Sequence, residues 1–287
     1  MKQPSAATGM LAMAGSAVLF SAMAFFIPFT HGVSTSVIAS ARFVIGIVVI
    51  LGMAGLRFTR LAAVNKAWLV VRGVIGAASV YFFYRGIMSL GLGKGTILNY
   101  TYPVFAALLA PALLKERLPW DVLLSVAVSF AGIWLVVSPG RIGSIRIEEL
   151  LALLGGLLSG IAVVAIKKLR ETETPYIIYL AQCLFGLLVV GVPTAASSFA
   201  FPAAEWLLLL AIGIVATIAQ LTMTWAYKHV SATEGSIMAF LTPVLNVALG
   251  VMVFGEKMRA STLLGSGIVL LCCGYVAFRE RILKLAG

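Results

Sequence analysis

The chain has 287 residues, of which 61% are apolar and only 11% are charged. Soluble domains carry about 25% charged residues, and a fold of this length could not bury so much apolar surface in water. The composition therefore excludes a soluble globular fold and predicts an α-helical protein that crosses a membrane many times. The net charge of +11 does not indicate a nucleic-acid partner, because the cations follow membrane topology, as shown below.

Ten apolar stretches are long enough to cross a bilayer, which takes about 20 residues of helix. In chain order their cores are residues 9–29, 34–56, 67–90, 95–114, 121–138, 149–167, 176–196, 205–227, 235–254 and 261–278. The connections are short and hold nearly all the charge, so we expect no separate soluble domain. We interpret residues 9–29 as a spanning helix and not as a cleaved signal peptide, because the apolar run continues past Ala22-Met23-Ala24 to Phe29.

Lysine and arginine are distributed unevenly between the two sides of the membrane. With the amino terminus in the cytoplasm, the inner segments hold 13 cations, the outer loops hold 5 and the spans hold 3, which accounts for all 21. Cytoplasmic loops of membrane proteins carry an excess of cations. The bias therefore predicts an integral membrane protein with both termini in the cytoplasm.

The second half of the chain repeats the first at a constant offset of 140 residues. Gly95-Thr-Ile97 corresponds to Gly235-Ser-Ile237, Pro103 to Pro243, and Glu116 to Glu256. We therefore divide the chain into two five-helix units, residues 1–139 and 140–287. Because five is an odd number, the second unit enters the membrane from the opposite side. Transporters that work by alternating access are built from such inverted repeats, with the substrate near the midplane where the repeats meet.

The segment around Pro103 carries a family resemblance. The run from Leu98 to Ala110 (LNYTYPVFAALLA), followed by Lys115-Glu-Arg-Leu118, resembles the signature of the EamA family of the drug/metabolite transporter superfamily. The Arg42-Phe43 pair also resembles that family, whereas Lys115 and Gln182, the repeat equivalent of Arg42, depart from its pattern. The resemblance covers residues 9–278. It implies ten helices in two inverted five-helix repeats and transport of amino acids or related metabolites, often as exporters, in a bacterial-type inner or plasma membrane.

Polar side chains near mid-span predict where a substrate binds. Pro103 and Pro243 each remove a backbone hydrogen bond, which frees the carbonyls of Asn99 and Ala239 and predicts hinges or kinks around a central cavity. The predicted substrate-binding residues around them are Tyr81, Tyr84, Asn99, Tyr102, Gln220, Thr224, Thr242 and Asn246. For any one of these side chains, a hydrogen bond between helices is the alternative interpretation. The aromatic members favour amino acids with large side chains.

Charges inside the predicted spans bear on mechanism. Arg42 lies about eight residues into the second span, roughly 12 Å deep, and would attract a substrate carboxylate or make a gating contact. Arg72 and Arg85 lie closer to helix ends, where we expect them to reach the membrane surface. All ten acidic residues and both histidines, His31 and His229, lie in loops or near helix ends. We therefore expect no proton relay within the membrane.

Other function classes are disfavoured. The sequence contains no catalytic motif of a membrane enzyme, and its three cysteines lie in apolar segments, so we expect no enzyme, cofactor or metal. The expected partners are a small-molecule substrate and the lipid bilayer. The oligomeric state stays open, a monomer included. A carrier of phosphorylated metabolites or nucleotide sugars is the alternative within transporters, and it would require several cationic groups in the cavity.

Overall fold

The computed structural model describes residues 6–59, 61–102, 104–106, 108–109, 120–137, 146–230, 238–239 and 241–286, and contains no strand within them. Its helices are α1 (Ala6–Phe26), α2 (Thr35–Gly55), α3 (Lys66–Leu90), α4 (Leu92–Asn99), α5 (Trp120–Val137), α6 (Ile147–Leu169), α7 (Pro175–Ala195), α8 (Ala203–Ala226), α9 (Leu241–Met252) and α10 (Ala260–Ala286). A short 3₁₀ turn, Ile27–Phe29, extends α1. Six of these helices (α1, α2, α3, α6, α7 and α8) are long and apolar enough to cross a membrane, and three shorter apolar helices lie within α5, α9 and α10. The prediction of an all-helical, polytopic membrane protein is confirmed.

The fourth predicted span is interrupted after Asn99, the residue whose carbonyl Pro103 was expected to free. Helix α4 ends at Asn99, a turn occupies Tyr100 and Thr101, and helical backbone resumes at Tyr102. The Thr101 hydroxyl donates to the carbonyl of Leu98 at 2.7 Å. A side chain therefore satisfies one of the carbonyls that the end of the helix leaves without a backbone partner. Discontinuous helices of this kind line the binding sites of many transporters.

The offset of 140 residues relates the helix boundaries of the two halves. Adding 140 to the bounds of α2 gives residues 175–195, which are the bounds of α7. The same offset relates the residues that cap these helices, because Ser34 accepts from the amide of Val37 and Thr174 accepts from the amide of Ile177, both at 3.4 Å. A hydroxyl at the N-cap satisfies one of the amides that a helix leaves unpaired at its start. The repeat therefore extends from sequence to local structure.

Helix packing between the halves has the symmetry of the repeat. The packed pairs are α1 with α8, α3 with α6, α3 with α7, α2 with α8, α1 with α9, α4 with α6, α2 with α7, α4 with α9 and α5 with α10. If each helix is replaced by its repeat counterpart, this set of pairs maps onto itself. Such a pattern is what a pseudo-two-fold axis between the halves produces. With five spans in each half, the axis lies in the membrane plane and the halves are inverted.

Candidate functional site

A cavity with about 750 Å³ of empty space, its mouth included, lies where the two halves meet. Helices α1, α2, α3 and α4 contribute from the first half, and α6, α7, α8 and α9 contribute from the second. The polar residues along its wall are Ser16, Arg42, Arg72, Ser79, Asn99, Tyr100, Tyr102, Ser159, Gln182, Gln220 and Thr242. Binding sites of repeat-built transporters lie between the repeats, so this polar-lined cavity is the candidate substrate site.

Five of the sequence-predicted site residues line this cavity. They are Arg42, Asn99, Tyr102, Gln220 and Thr242. Asn99 lies at the end of α4, directly before the interruption, and Thr242 lies in the first turn of α9. The Thr242 hydroxyl donates to the carbonyl of Ala17 on α1 at 2.9 Å, which fixes its position on the wall. Tyr102 packs its ring edge-on against Tyr100 at 5.6 Å.

Other predicted residues lie outside the cavity wall. Thr224 is buried and donates to the carbonyl of Gln220 at 2.8 Å within α8. Asn246 is buried, and its side-chain oxygen accepts from the Ser21 hydroxyl at 2.5 Å. The amide nitrogen of Asn246 donates to the Thr96 hydroxyl at 3.0 Å. Tyr81 is half-buried and contacts the Phe82 ring. The contacts of Asn246 agree with the alternative of hydrogen bonding between helices, whereas the Thr224 hydroxyl bonds within α8.

The two predicted hinge prolines have different surroundings. Pro243 is buried in the first turn of α9, where an absent backbone N–H interrupts no hydrogen bond of that helix. Ala239, whose carbonyl Pro243 was expected to free, is helical and lines the cavity. Pro103 lies outside the described residues. The hinge role of both prolines stays a prediction.

Arg42 is held in the cavity wall by neutral partners. Its side chain is 2% exposed, and it donates to the Tyr84 hydroxyl at 3.1 Å and to the side-chain oxygen of Gln220 at 3.2 Å. The guanidinium carbon also lies 5.9 Å from the ring centres of Phe20 and Tyr84, within the range of cation–π attraction. Tyr84, predicted as a substrate contact, is buried behind Arg42 and positions it. The Met23 sulfur accepts from the Tyr84 hydroxyl at 2.9 Å and completes this arrangement.

Arg72 was expected to reach the membrane surface, and this prediction is wrong. Its side chain is 3% exposed and lines the cavity, where it donates to the side-chain oxygen of Gln182 at 2.8 Å. The guanidinium extends along α3 from residue 72 to Gly76, one turn further on, where an added Cβ would collide with it. Gln182 also donates to the Gly76 carbonyl at 3.1 Å. The glycine therefore makes room for a cation at this depth.

The sequence contained a signal for Arg72 that was not used above, whereas the repeat already related Gln182 to Arg42. Arg72, Gly76, Ser79 and Phe83 recur at intervals of three and four residues, so they share one face of α3. All four line the cavity. Gln182 is the repeat counterpart of Arg42, which predicts that the two occupy equivalent positions in the two halves.

The unpartnered polar atoms of the cavity wall are donors. Arg42 Nε, Arg72 Nε and Asn99 Nδ2 are buried and have no hydrogen-bond partner in the described part of the chain. The lining hydroxyls of Ser16 and Thr242 donate to backbone carbonyls instead. Of the residues that the structure describes along the wall, none is Asp, Glu or His. The wall therefore carries positive charge and offers hydrogen-bond donors to whatever binds.

The cavity lies towards the membrane side at which α1 and α3 begin. Met13 and Arg72 line it near the starts of α1 and α3, and Ile166 and Met223 line it near the ends of α6 and α8. On the opposite side the helices are joined by polar contacts. Lys94 of α4 forms an ion pair with Glu149 of α6 at 2.5 Å.

Glu256, between α9 and α10, closes the same side. Its carboxylate accepts from the amides of Leu92 at 2.5 Å and Gly93 at 3.0 Å, which are the first two amides of α4. A carboxylate is favoured at this position because the amino end of a helix carries partial positive charge. A Cβ on Gly91 or Gly250 would each come within 2.6 Å of this carboxylate, and Gly91 has a φ of +90°. These glycines form a slot for Glu256, and we call its contact with α4 the Glu256 latch.

Aromatic rings fill the space beside the Glu256 latch. Phe254 packs against Phe25 at 5.6 Å and Phe29 at 5.2 Å between ring centres. Phe254 follows α9, whereas Phe25 and Phe29 lie at the end of α1 and in the 3₁₀ turn. The three rings join the two halves on the side away from the cavity. Among the described residues, helices of the two halves are therefore held together on that side of the bundle.

Comparison with known proteins agrees with this architecture. The sequence pattern of the EamA-like transporter family matches residues 7–138 and again residues 146–278. The pseudopaline exporter CntI of Pseudomonas aeruginosa is 31% identical over 207 residues, covering 71% of this chain and 72% of that protein. A riboflavin transporter of Rhizobium johnstonii is 28% identical over 202 residues, covering 70% of this chain and 67% of that protein. A solved crystal structure, 18% identical, has the same fold with a TM-score of 0.69 over 97% of this chain and 99% of its own.

Proposed function

This chain belongs to the EamA-like transporter family and is a membrane transporter, and we propose that it exports amino acids or related small carboxylate-bearing metabolites. The observation that supports this proposal best is the cavity between the halves, which contains the buried guanidiniums of Arg42 and Arg72. Ionisable groups buried within a membrane usually line a substrate pathway. A carboxylate is the group that amino acids share, and guanidinium groups bind it in a planar, paired geometry.

The other features of the wall fit the remainder of an amino acid. The side-chain oxygen of Asn99 accepts only a long bond from Ser159, at 3.5 Å, so it can also accept from a substrate ammonium, which requires acceptors once water is removed. The rings of Phe20, Phe83 and Tyr100 provide apolar contact for a substrate side chain. The printed substrates of the two named relatives differ, so family membership does not by itself identify the cargo.

Transport through this cavity would proceed by alternating access. In our proposal the units 1–139 and 140–287 exchange conformations, so that the side now closed by the Glu256 latch opens while the other side closes. With both termini in the cytoplasm, as the cation bias favours, the closed side is the outer one. The structure then corresponds to an inward-facing state. Loading from the cytoplasm in this state is what an exporter requires.

Arg72 supports a second candidate function. A carrier of phosphorylated metabolites or nucleotide sugars requires more than one cation in its cavity, and Arg72 supplies a second one beside Arg42. The phosphoryl group of such a substrate would take the place of a carboxylate. The two candidates differ in the anionic group of the substrate and share the cavity.

Counterflow into proteoliposomes tests the proposed function. The purified full-length protein is reconstituted, the vesicles are loaded with one unlabelled compound, and entry of its labelled form is measured beside protein-free vesicles. The panel contains neutral, acidic and aromatic amino acids together with sugar phosphates and a nucleotide sugar. Counterflow with at least one amino acid is the expected result. Counterflow restricted to the phosphorylated compounds would select the second candidate, and no counterflow with any compound would contradict both.

A further inference from the structure

We propose that the substrate carries two separate anionic groups, one bound by Arg42 and the other by Arg72. This inference rests on the proposed function and makes its substrate class more specific. A compound of the same shape with one anionic group replaced by a neutral amide should bind much more weakly.

The two guanidiniums lack a counter-ion in the part of the chain that the structure describes. Arg42 donates to a tyrosine hydroxyl and an amide oxygen, and Arg72 donates to an amide oxygen. None of these acceptors carries a charge. A buried cation without an anionic partner is costly, although water in the cavity reduces the cost. A substrate with two anionic groups would neutralise both cations when water is displaced.

The arginines occupy two distinct places in the cavity wall. Arg42 extends from α2 and is bonded to Gln220 on α8, whereas Arg72 extends from α3 and is bonded to Gln182 on α7. Different helices and different glutamines therefore hold the two cations. Because each cation has its own amide partner, each can bind an anionic group of its own, which favours a substrate with two such groups.

Each subsite retains donors that point to an anion. The Nε–H groups of Arg42 and Arg72 have no partner among the described residues, and neither does the amide nitrogen of Asn99. An Nε–H together with a terminal N–H forms the paired donor face that binds carboxylate or phosphate in two parallel hydrogen bonds. The side chain of Asn99 is 5% exposed and lies at the same cavity. Because these free groups are all donors, the ligand must supply the acceptors.

Gly76 indicates that the position of Arg72 is built into the fold. A Cβ at residue 76 would collide with Nη1 of Arg72, and Gln182 bonds both the Arg72 guanidinium and the Gly76 carbonyl. Glycine is unfavourable inside a helix, so its presence here is explained by the space that Arg72 needs. A cation that merely reached the membrane surface would need neither the glycine nor the glutamine.

Matched pairs of substrates test the inference on the unaltered protein. Glutamate is compared with glutamine, aspartate with asparagine, and phosphoserine with serine, each as an unlabelled competitor in counterflow. The charged member of at least one pair should compete at roughly 10- to 100-fold lower concentration than its neutral partner, as expected for loss of a charge-assisted contact. The pair that shows the preference distinguishes a carboxylate from a phosphate. Equal or better competition by the neutral members would overturn the inference while leaving amino-acid transport intact, and no counterflow at all would contradict the proposed function as well.

Two variants connect the preference to Arg72. Arg72→Gln should reduce the preference for the charged member to within about threefold, because the remaining binding groups are unchanged. Gly76→Ala retains the charge but displaces the guanidinium, so it should reduce the preference in the same direction. Arg85→Gln, on the same helix, half-buried and outside the cavity wall, should retain it. Folding is checked by gel filtration, and a full preference in correctly folded Arg72→Gln or Gly76→Ala would overturn the inference.

Discussion

Arg72 donates to Gln182 at 2.8 Å, and Gln182 occupies the position in the second repeat that Arg42 occupies in the first. Arg42 in turn donates to Gln220, so one bond joins α2 to α8 and the other joins α3 to α7. These helix pairs are exchanged by the pseudo-two-fold axis, with the donor and acceptor roles reversed. Both cations belong to the first half and both amides to the second. Any motion of the halves past one another must therefore rearrange both bonds, and a bound anion would compete for the same donors.

Gln182→Glu should impair binding of an anionic substrate more than Gln182→Ala does. The new carboxylate would pair with Arg72 and cancel the charge that the substrate is expected to meet, whereas alanine only removes an acceptor. We expect at least a tenfold rise in the half-saturating substrate concentration for Gln182→Glu, measured by counterflow. Gln182→Glu transport at the affinity of the unaltered protein would argue against a role for the Arg72 charge in binding.

Asn99→Ala and Gln220→Ala should each weaken substrate binding. Both residues line the cavity, and removal of either leaves a buried substrate group unpaired, at a cost of about 1–3 kcal/mol, or roughly 5- to 150-fold in affinity. The matched control is Thr222→Ala, because Thr222 lies two residues from Gln220 on the exposed face of α8 and donates only to its own helix. If both cavity variants transport amino acids as Thr222→Ala does, the substrate binds elsewhere.

The sequence predicted the helices well because their determinants are local. Apolar length and the 140-residue offset locate α2 and α7 to within a residue or two. Pro103 predicted a hinge or kink near Asn99 but not a turn that ends the helix. That turn also involves the Thr101 hydroxyl, which competes for the Leu98 carbonyl and which apolar patterning does not reveal.

The candidate site was predicted only in part because burial is a property of the packed bundle. The depth of Arg42 followed from its place in the sequence, whereas Arg72 lies near a helix start and only packing shows that it is enclosed. Asn246 and Thr224 have the residue types expected of a binding site. Their hydrogen bonds are nevertheless satisfied by other helices or by their own, which the sequence alone does not reveal.

Glu256→Gln should loosen the closed side of the cavity. The charge that stabilises the amino end of α4 is lost, while the shape of the side chain is retained. We expect amide hydrogen exchange of residues 92–98 to accelerate by about tenfold, measured by mass spectrometry in lipid nanodiscs. Glu171→Gln is the control, because Glu171 is exposed and pairs only with Lys168. Unchanged exchange at residues 92–98 in Glu256→Gln would show that the latch does not hold α4.

The glycines around Glu256 predict the effect of a substitution at Gly91. Gly91, Gly93 and Gly250 surround the Glu256 carboxylate, whereas their repeat counterparts are Ser231, Thr233 and Ala110. The sequence therefore has glycine at these three positions around Glu256 and at none of their repeat counterparts. We expect Gly91→Ala to act like Glu256→Gln, because a side chain at a φ of +90° is strained and would collide with the carboxylate. Hydrogen exchange of residues 92–98 measures this as well, and slower exchange than in the unaltered protein would contradict it.

Transport should not depend on a proton gradient, and movement of an anionic substrate should depend on membrane potential. Among the described residues of the cavity wall, none is a carboxylate or a histidine that could exchange a proton, and arginine stays protonated. Counterflow should therefore persist when an ionophore collapses the pH difference. A substrate with one net negative charge would move that charge across the membrane, so an inside-positive potential of about 60 mV should raise its accumulation roughly tenfold. The neutral member of the same substrate pair is the control and should not respond. Loss of counterflow with the pH gradient would instead require a titratable group in the transport path.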